Sequence, residues 1–202
     1  MVFRNFDAFD EGVAPGGART KTEIRTLLCY VFYSIGKPLS RDVAVTALQK
    51  HSLANYFETA DCFNDLVRLG NLELADEENG LYQLTENGKM IARQLEDTLP
   101  LTMKEKAYRD AMELLENQRI ARENPVTVVP ENEGFRVSCT ISDGSMDLLT
   151  VSVFAASKDQ VKLIRRNFHH NPEMFYKIII SLLSNNRDLA VDALKTIEIS
   201  GN

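Results

Sequence analysis

Within about eighty residues this chain runs through three helix-spaced patterns, two four-residue alternating runs closed by an Asn-Gly turn, and a fourth helix pattern. Few folds accommodate that order. The first pattern spans Thr22 to Ile35, with Ile24, Leu27, Leu28, Val31 and Ile35 at helical spacing. Gly36 closes it and Pro38 prevents it from continuing. Ser40 has the hydroxyl of an N-cap for a short second helix with Val43, Ala44, Ala47 and Leu48 on its inner face. A third helix is predicted from Tyr56 to Leu69, stopping at Gly70. The runs Leu72–Ala75 and Leu81–Leu84 flank Asp76–Gly80, whose Asn79-Gly80 pair signals a hairpin. Thr85 then caps a helix that continues through Met90, Ile91 and Leu95 towards Pro100. Three helices, a hairpin and a return helix make the order of a winged helix-turn-helix, with the turn at residues 52–55 and the hairpin as the wing.

The rest of the chain has a different texture. Residues 1–19 end in the breaker-rich Val13-Ala14-Pro15-Gly16-Gly17 and read as a flexible leader. Residues 100–124 read as a linker, a charged helix from Thr102 to about Glu123 that is about 33 Å long at 1.5 Å per residue. Its apolar stripe is narrow: Met103, Ala107, Ala111, Leu114 and Leu115. After Pro125 come three β-branched or aromatic runs, Val126–Val129, Phe135–Ile141 and Leu148–Phe154, with a hairpin at Ser142–Ser145. Helices Lys158–Phe168 and Pro172–Leu183 follow, and then an amphipathic segment carrying Leu189, Ala193, Leu194 and Ile197. The expected fold class is therefore α+β. A winged helix-turn-helix over residues 20–99 precedes the linker helix, and a small antiparallel-sheet domain with C-terminal helices, serving dimerisation or effector binding, fills residues 125–202.

Particular stretches carry a resemblance. Asn55-Tyr56-Phe57, Leu66…Gly70-Asn-Leu72 and Leu81-Tyr-Gln-Leu-Thr-Glu-Asn-Gly-Lys89, with Pro172-Glu173…Tyr176-Lys-Ile-Ile…Leu182 in the second half, resemble a bacterial winged-helix family catalogued as a domain of unknown function. The resemblance covers roughly residues 20–185. It implies a transcription regulator by analogy of fold, and no ligand, operator or catalytic residue comes with it. The Leu-Thr-Glu-Asn-Gly-Lys element also has a plain folding role. Leu84 faces the core, Thr85 caps, and Gly88 is expected to let its helix approach the first helix closely.

Charge complicates that implication. The chain of 202 residues carries a net −6, divided as −5 over residues 1–99 and −1 over residues 100–202. Neither half has the basic footprint of a strong non-specific nucleic-acid binder. On the third helix, Thr59, Cys62, Phe63, Leu66, Val67 and Leu69 are expected to face the core. Phe57, Glu58, Asp61, Asn64, Asp65 and Arg68 form the outward stripe. That stripe would enter a major groove, yet it holds three carboxylates, and the wing adds Glu73, Asp76, Glu77 and Glu78. Duplex DNA carries one charge per ~1.7 Å of its axis and repels such a face unless cations flank it. Arg19, Lys21, Arg25, Lys37, Arg41 and Lys50 lie around the first two helices. Arg41, just after the Ser40 cap, is the best phosphate contact because a helix N-terminus also favours anions.

The candidate DNA-contacting residues are thus Lys37, Ser40, Arg41, Lys50, Phe57, Asn64 and Arg68. About four neutralised phosphates per half-site would give a log–log salt slope near −3.6. In the alternative reading, Glu58, Asp61, Asp65, Asp76, Glu77 and Glu78 dock a basic protein and no DNA is bound.

Other chemistry is not signalled. There is no Gly-rich phosphate loop, nucleophile elbow or His-Glu-x-x-His, so no enzyme and no cofactor are expected. The adjacent His169-His170 point about 100° apart on a helix and make a poor chelate, His51 stands alone, and no metal is expected. Three widely spaced cysteines fit a reducing compartment. No apolar run approaches a membrane span, and the acidic amino terminus is not a signal peptide, so a cytoplasmic protein without membrane partners is expected. Its expected partners are double-stranded DNA and a second copy of itself. The sequence identifies no small-molecule effector.

Overall fold

Each early helix begins where a side chain supplies the acceptor its first turn lacks. The structure, a computed structural model, describes residues 12–199. Helix α1 (Lys21–Ile35) starts with a capping box. Thr20 Oγ1 accepts from Glu23 N, and the Glu23 carboxylate accepts from Thr20 N at 3.1 Å. It ends at Gly36, whose φ of 66° is left-handed. Ser40 Oγ accepts from Val43 N and starts α2 (Arg41–Gln49), while Asn55 Oδ1 accepts from Phe57 N at 2.9 Å and starts α3 (Tyr56–Arg68).

Strands β2 (Leu72–Asp76) and β3 (Leu81–Leu84) pair antiparallel, with a bulge between Leu74 and Asp76 that leaves Ala75 unpaired. Sequence reading missed a third strand. β1 (Leu39–Ser40) pairs with β3, Leu39 opposite Tyr82, so the sheet order is β1-β3-β2. Helix α4 (Glu86–Leu95) and a 3₁₀ turn at Glu96–Thr98 follow. Then comes α5 (Leu101–Glu123).

The chain divides into two compact units, Met1–Glu116 and Asn117–Asn202. The core of the first collects Ile24, Leu27, Leu28, Val31, Leu48, Phe63 and Leu66 with Leu39 and Leu72 of the sheet. Phe63 is stacked edge-on against Tyr82 at 5.1 Å. Four details depart from the sequence reading. Val67 and Leu69 are exposed, because α3 buries the narrower set Thr59, Ala60, Cys62, Phe63 and Leu66. The stretch read as a linker helix is built into this core as far as Glu116: Met103, Ala107 and Ala111 are buried in it, and Leu114 and Leu115 pack against it. Of the stretch read as a flexible leader, residues 1–11 lie outside the described residues, while residues 14–18 are fastened to the α2–α3 turn. Ala14 N donates to Ser52 O and Ala18 N to Leu53 O, both at 2.7 Å, and Ala18 is fully buried. Finally, Gly88 meets the α3–β2 turn and the end of β3 rather than α1; a Cβ there would stand 2.2 Å from Asn71 O.

In the second unit, β4 (Val126–Glu131), β5 (Gly134–Ser142) and β6 (Asp147–Ala155) form an antiparallel sheet in that order. One face of β5 presents Val137, Cys139 and Ile141 to a small core with Ala155 and Phe168. The other carries cross-strand hydroxyl pairs, Ser138–Ser152 at 2.7 Å and Thr140–Thr150 at 3.1 Å. Helices α6 (Lys158–His170), α7 (Pro172–Leu183) and α8 (Arg187–Ile199) complete the unit; Ala193 of α8 is buried, and the Ile197 side chain lies outside those described. The fold is therefore α+β, with eight α-helices and two small antiparallel sheets among the described residues.

Candidate nucleic-acid interface

The outward side of α3 is fixed by its cap and its buried face. Asn55 sets the first turn, and Thr59, Cys62, Phe63 and Leu66 anchor the inner side. What remains outside is Phe57, 76% exposed, with Asp61, Asn64 and Arg68 at helical spacing. Glu58 does not belong to that stripe. Its side chain is turned inward, where Oε2 is buried without a hydrogen-bond donor and lies 3.9 Å from Lys21 Nζ. Asp65 is half-buried and accepts from Arg68 Nη2 at 2.7 Å, which holds its carboxyl below the usual carboxylate range.

The flanking cations sort into two groups. Lys50 Nζ pairs with Glu113 of α5 at 2.5 Å, and Arg68 is taken up by Asp65, so neither is free to meet a phosphate without breaking a pair. Lys37 is exposed and Arg41 half-buried, and neither has an ion pair among the described residues. Ser40, between them, spends its acceptor on the α2 cap. Sequence reasoning missed Lys89 and Arg93 of α4. With Lys37 they line a cleft of about 590 Å³ beside the hairpin, where Glu73, Gln83 and Glu86 also face. Arg93 Nε donates to Tyr33 Oη at 3.1 Å and its guanidinium lies over the ring, while Lys89 pairs with Glu86 at 2.7 Å. Only tertiary folding brings α4 beside Lys37.

At the hairpin, Asp76 is occupied. Its carboxylate accepts from Asn79 N and Asn79 Nδ2, and these bonds lower its pKa. Glu77 and Glu78 are exposed at the tip. Of the six carboxylates expected to form an acidic docking face, Asp61, Glu77 and Glu78 remain exposed, Asp65 and Asp76 are half-buried and hydrogen-bonded, and Glu58 is turned inward.

His51, read as solitary, has a partner fifty-nine residues away. Its Nδ1 donates to Asp110 Oδ2 at 2.6 Å, tying the α2–α3 turn to α5. The cysteines are buried. Burial pushes the Cys29 thiol up to about 12 and Cys62 to about 11, and it raises Cys139 as well, so all three stay protonated near neutrality. No helix among the described residues is long and apolar enough to cross a membrane.

Against known families, the model described as Domain of unknown function (DUF4364) matches residues 24–183, about four fifths of the chain. The chain belongs to that family. The family's span opens within α1 and closes on the last residue of α7, so it takes in the hairpin, α5 and the second sheet while α8 lies beyond it. No curated protein and no solved structure matches the chain.

Proposed function

We propose that the first unit is a winged helix-turn-helix and that the protein is a DNA-binding transcription regulator acting as a homodimer. The observation that carries this reading is the order α1-β1-α2-α3-β2-β3-α4, in which α3 offers Phe57 and Asn64 outward, while Lys37 and Arg41, around the start of α2, have no ion pair among the described residues. Lys37 and Arg41 supply phosphate contacts, and Asn64 is suited to an adenine edge. The acidic tip and Asp61 keep affinity modest, and the phosphate contacts make it salt-dependent.

Selection of fragments from genomic DNA at physiological salt, followed by titration of a selected duplex, tests the reading. Replacing Asp61 and Glu77 by lysine is expected to tighten binding and to steepen the salt slope by up to about 0.9 for each lysine that reaches a phosphate. Should those reversals leave DNA untouched while abolishing capture of a basic protein, the acidic face is a protein-docking site. The exposed Phe57 favours that second reading, since aromatic anchors concentrate at protein interfaces.

Homodimerisation draws support from the second unit. α7 is the most apolar helix among the described residues, yet Leu182 and Leu183 at its end are exposed, as are Val191 and Leu194 of α8. Sedimentation equilibrium of the full chain is expected to give twice 22.8 kDa, with Leu183→Asp returning it to the monomer mass. A wild-type chain that sediments as a monomer at tens of micromolar ends the dimer proposal.

A further inference from the structure

Charge is divided unevenly between the two units. All of the net −6 falls within residues 1–116, and residues 117–202 hold ten basic and ten acidic side chains. Four of those ten cations sit on one helix. α6 carries Lys158, Lys162, Arg165 and Arg166 against a single carboxylate, Asp159. Spacings of four, seven and eight residues place the four on one stripe about 100° wide. Val161, Ile164 and Phe168 occupy the other side of the helix and pack into the core of the unit. The basic stripe therefore faces outward, and all four side chains are exposed. Lys162 touches Asp159 at 3.3 Å in a fully solvated pair. Lys158, Arg165 and Arg166 have no ion pair among the described residues.

The stripe ends at a concavity. A cleft of about 500 Å³ is lined by Asn117, Ile120, Arg166, Asn167, His169 and His170, with no carboxylate in its wall. His169 is held in place there, its Nε2 donating to Asn124 O at 2.8 Å. Amide, guanidinium and imidazole groups at one end of a cationic stripe offer hydrogen-bond donors to an anion.

We propose that the outward face of α6 is a second docking surface, taking the phosphodiester backbone of duplex DNA. The inference rests on the DNA-binding reading for the identity of the polyanion and adds a surface in the second unit. From Lys158 to Arg166 the stripe is about 12 Å long, a length over which a duplex presents about seven phosphate charges. A membrane surface fits less well: the apolar side of α6 is already buried, and Leu163 is the one large apolar side chain left exposed on it. A single strand fits less well too, because no Phe, Tyr or Trp ring stands on the exposed face to stack on bases. Contacts of this kind are to phosphate and carry no sequence information.

The test uses the full chain and fluorescence anisotropy with two labelled duplexes, one of arbitrary sequence and one selected from genomic DNA, between 50 and 200 mM salt. The variant Lys162→Gln/Arg165→Gln/Arg166→Gln is expected to lower the log–log salt slope by about 2.7 on both duplexes alike. Single variants Arg165→Gln and Arg166→Gln are each expected to lower it by about 0.9, which keeps the test usable if the triple variant misfolds. An unchanged slope overturns the inference; if Arg41→Gln still weakens binding, the reading of the first unit survives that failure. A loss in the α6 variant, with Asn64→Ala leaving the preference for the selected duplex intact, upholds the inference while counting against α3 as the reading helix. Wild-type protein that binds neither duplex at 50 mM salt overturns it, as does an α6 variant that loses only a salt-sensitive self-association and leaves DNA binding alone. In that last case the occupant is the acidic surface of a second copy.

Discussion

Gly88→Ala is expected to destabilise the first unit by about 2–4 kcal/mol, an unusual outcome for a substitution that improves helix propensity. The added Cβ would stand 2.2 Å from the Asn71 carbonyl oxygen and 2.6 Å from Leu84 Cδ2. The methyl group of Leu84 can rotate away, but Asn71 O cannot retreat freely. It accepts from Thr85 N at 3.1 Å, beside the bond from Thr85 Oγ1 to Gly70 O at 2.7 Å. Moving it loosens the turn that joins α3 to the hairpin and the cap of α4 together. Alanine's propensity gain of about 1 kcal/mol offsets only part of that. Urea unfolding followed by helix signal checks it. A midpoint equal to or above the wild type would show that the turn yields cheaply.

His51→Ala is expected to cost about 3 kcal/mol, and the reason lies under the imidazole. Asp110 is wholly buried, its Oδ1 has no hydrogen-bond donor, and Oδ2 relies on His51 Nδ1 at 2.6 Å. The other basic group within reach among the described residues, Arg109 Nε, lies 4.0 Å from Oδ1 on an exposed side chain. Removing one partner of such a pair leaves a carboxylate unpaired in a poor solvent, worth about 3–5 kcal/mol, and the low end applies because His51 is 44% exposed and water can take its place. The double variant His51→Ala/Asp110→Ala is expected to recover much of the loss, since no buried charge remains. A double variant no more stable than His51→Ala would mean that Asp110 is not the source of the cost. DNA titration of the same variants reports whether the tie between the α2–α3 turn and α5 also positions α3.

Much of the helical framework was legible because its signals are local. Gly36, Ser40, Thr85 and Pro172 mark helix ends through groups that reach only a few residues along the chain, and each stands where sequence reading put it. β1 was not legible, since two residues have no periodicity and pair with a partner some forty positions away. The candidate interface was legible in part. Phe57, Asp61, Asn64 and Arg68 do share one face, as a 100° step requires. Glu58 lies on the margin of that face, where Lys21 of α1 draws it inward. The basic stripe of α6 was readable from the spacing of Lys158, Lys162, Arg165 and Arg166 alone.

The sequence by itself determined which segments form helices, where they stop, the hairpin between Leu72 and Leu84, and the division of charge along the chain. Periodicity and capping act within a turn or two of the backbone, so they can be read without neighbours. Tertiary structure alone decided which charges are available. Lys50 is engaged by Glu113, Arg68 stays with Asp65, His51 covers Asp110, and Arg93 lies over Tyr33 beside Lys37. The strength of an ionic contact depends on separation and solvent exposure, and neither exists until the chain has folded.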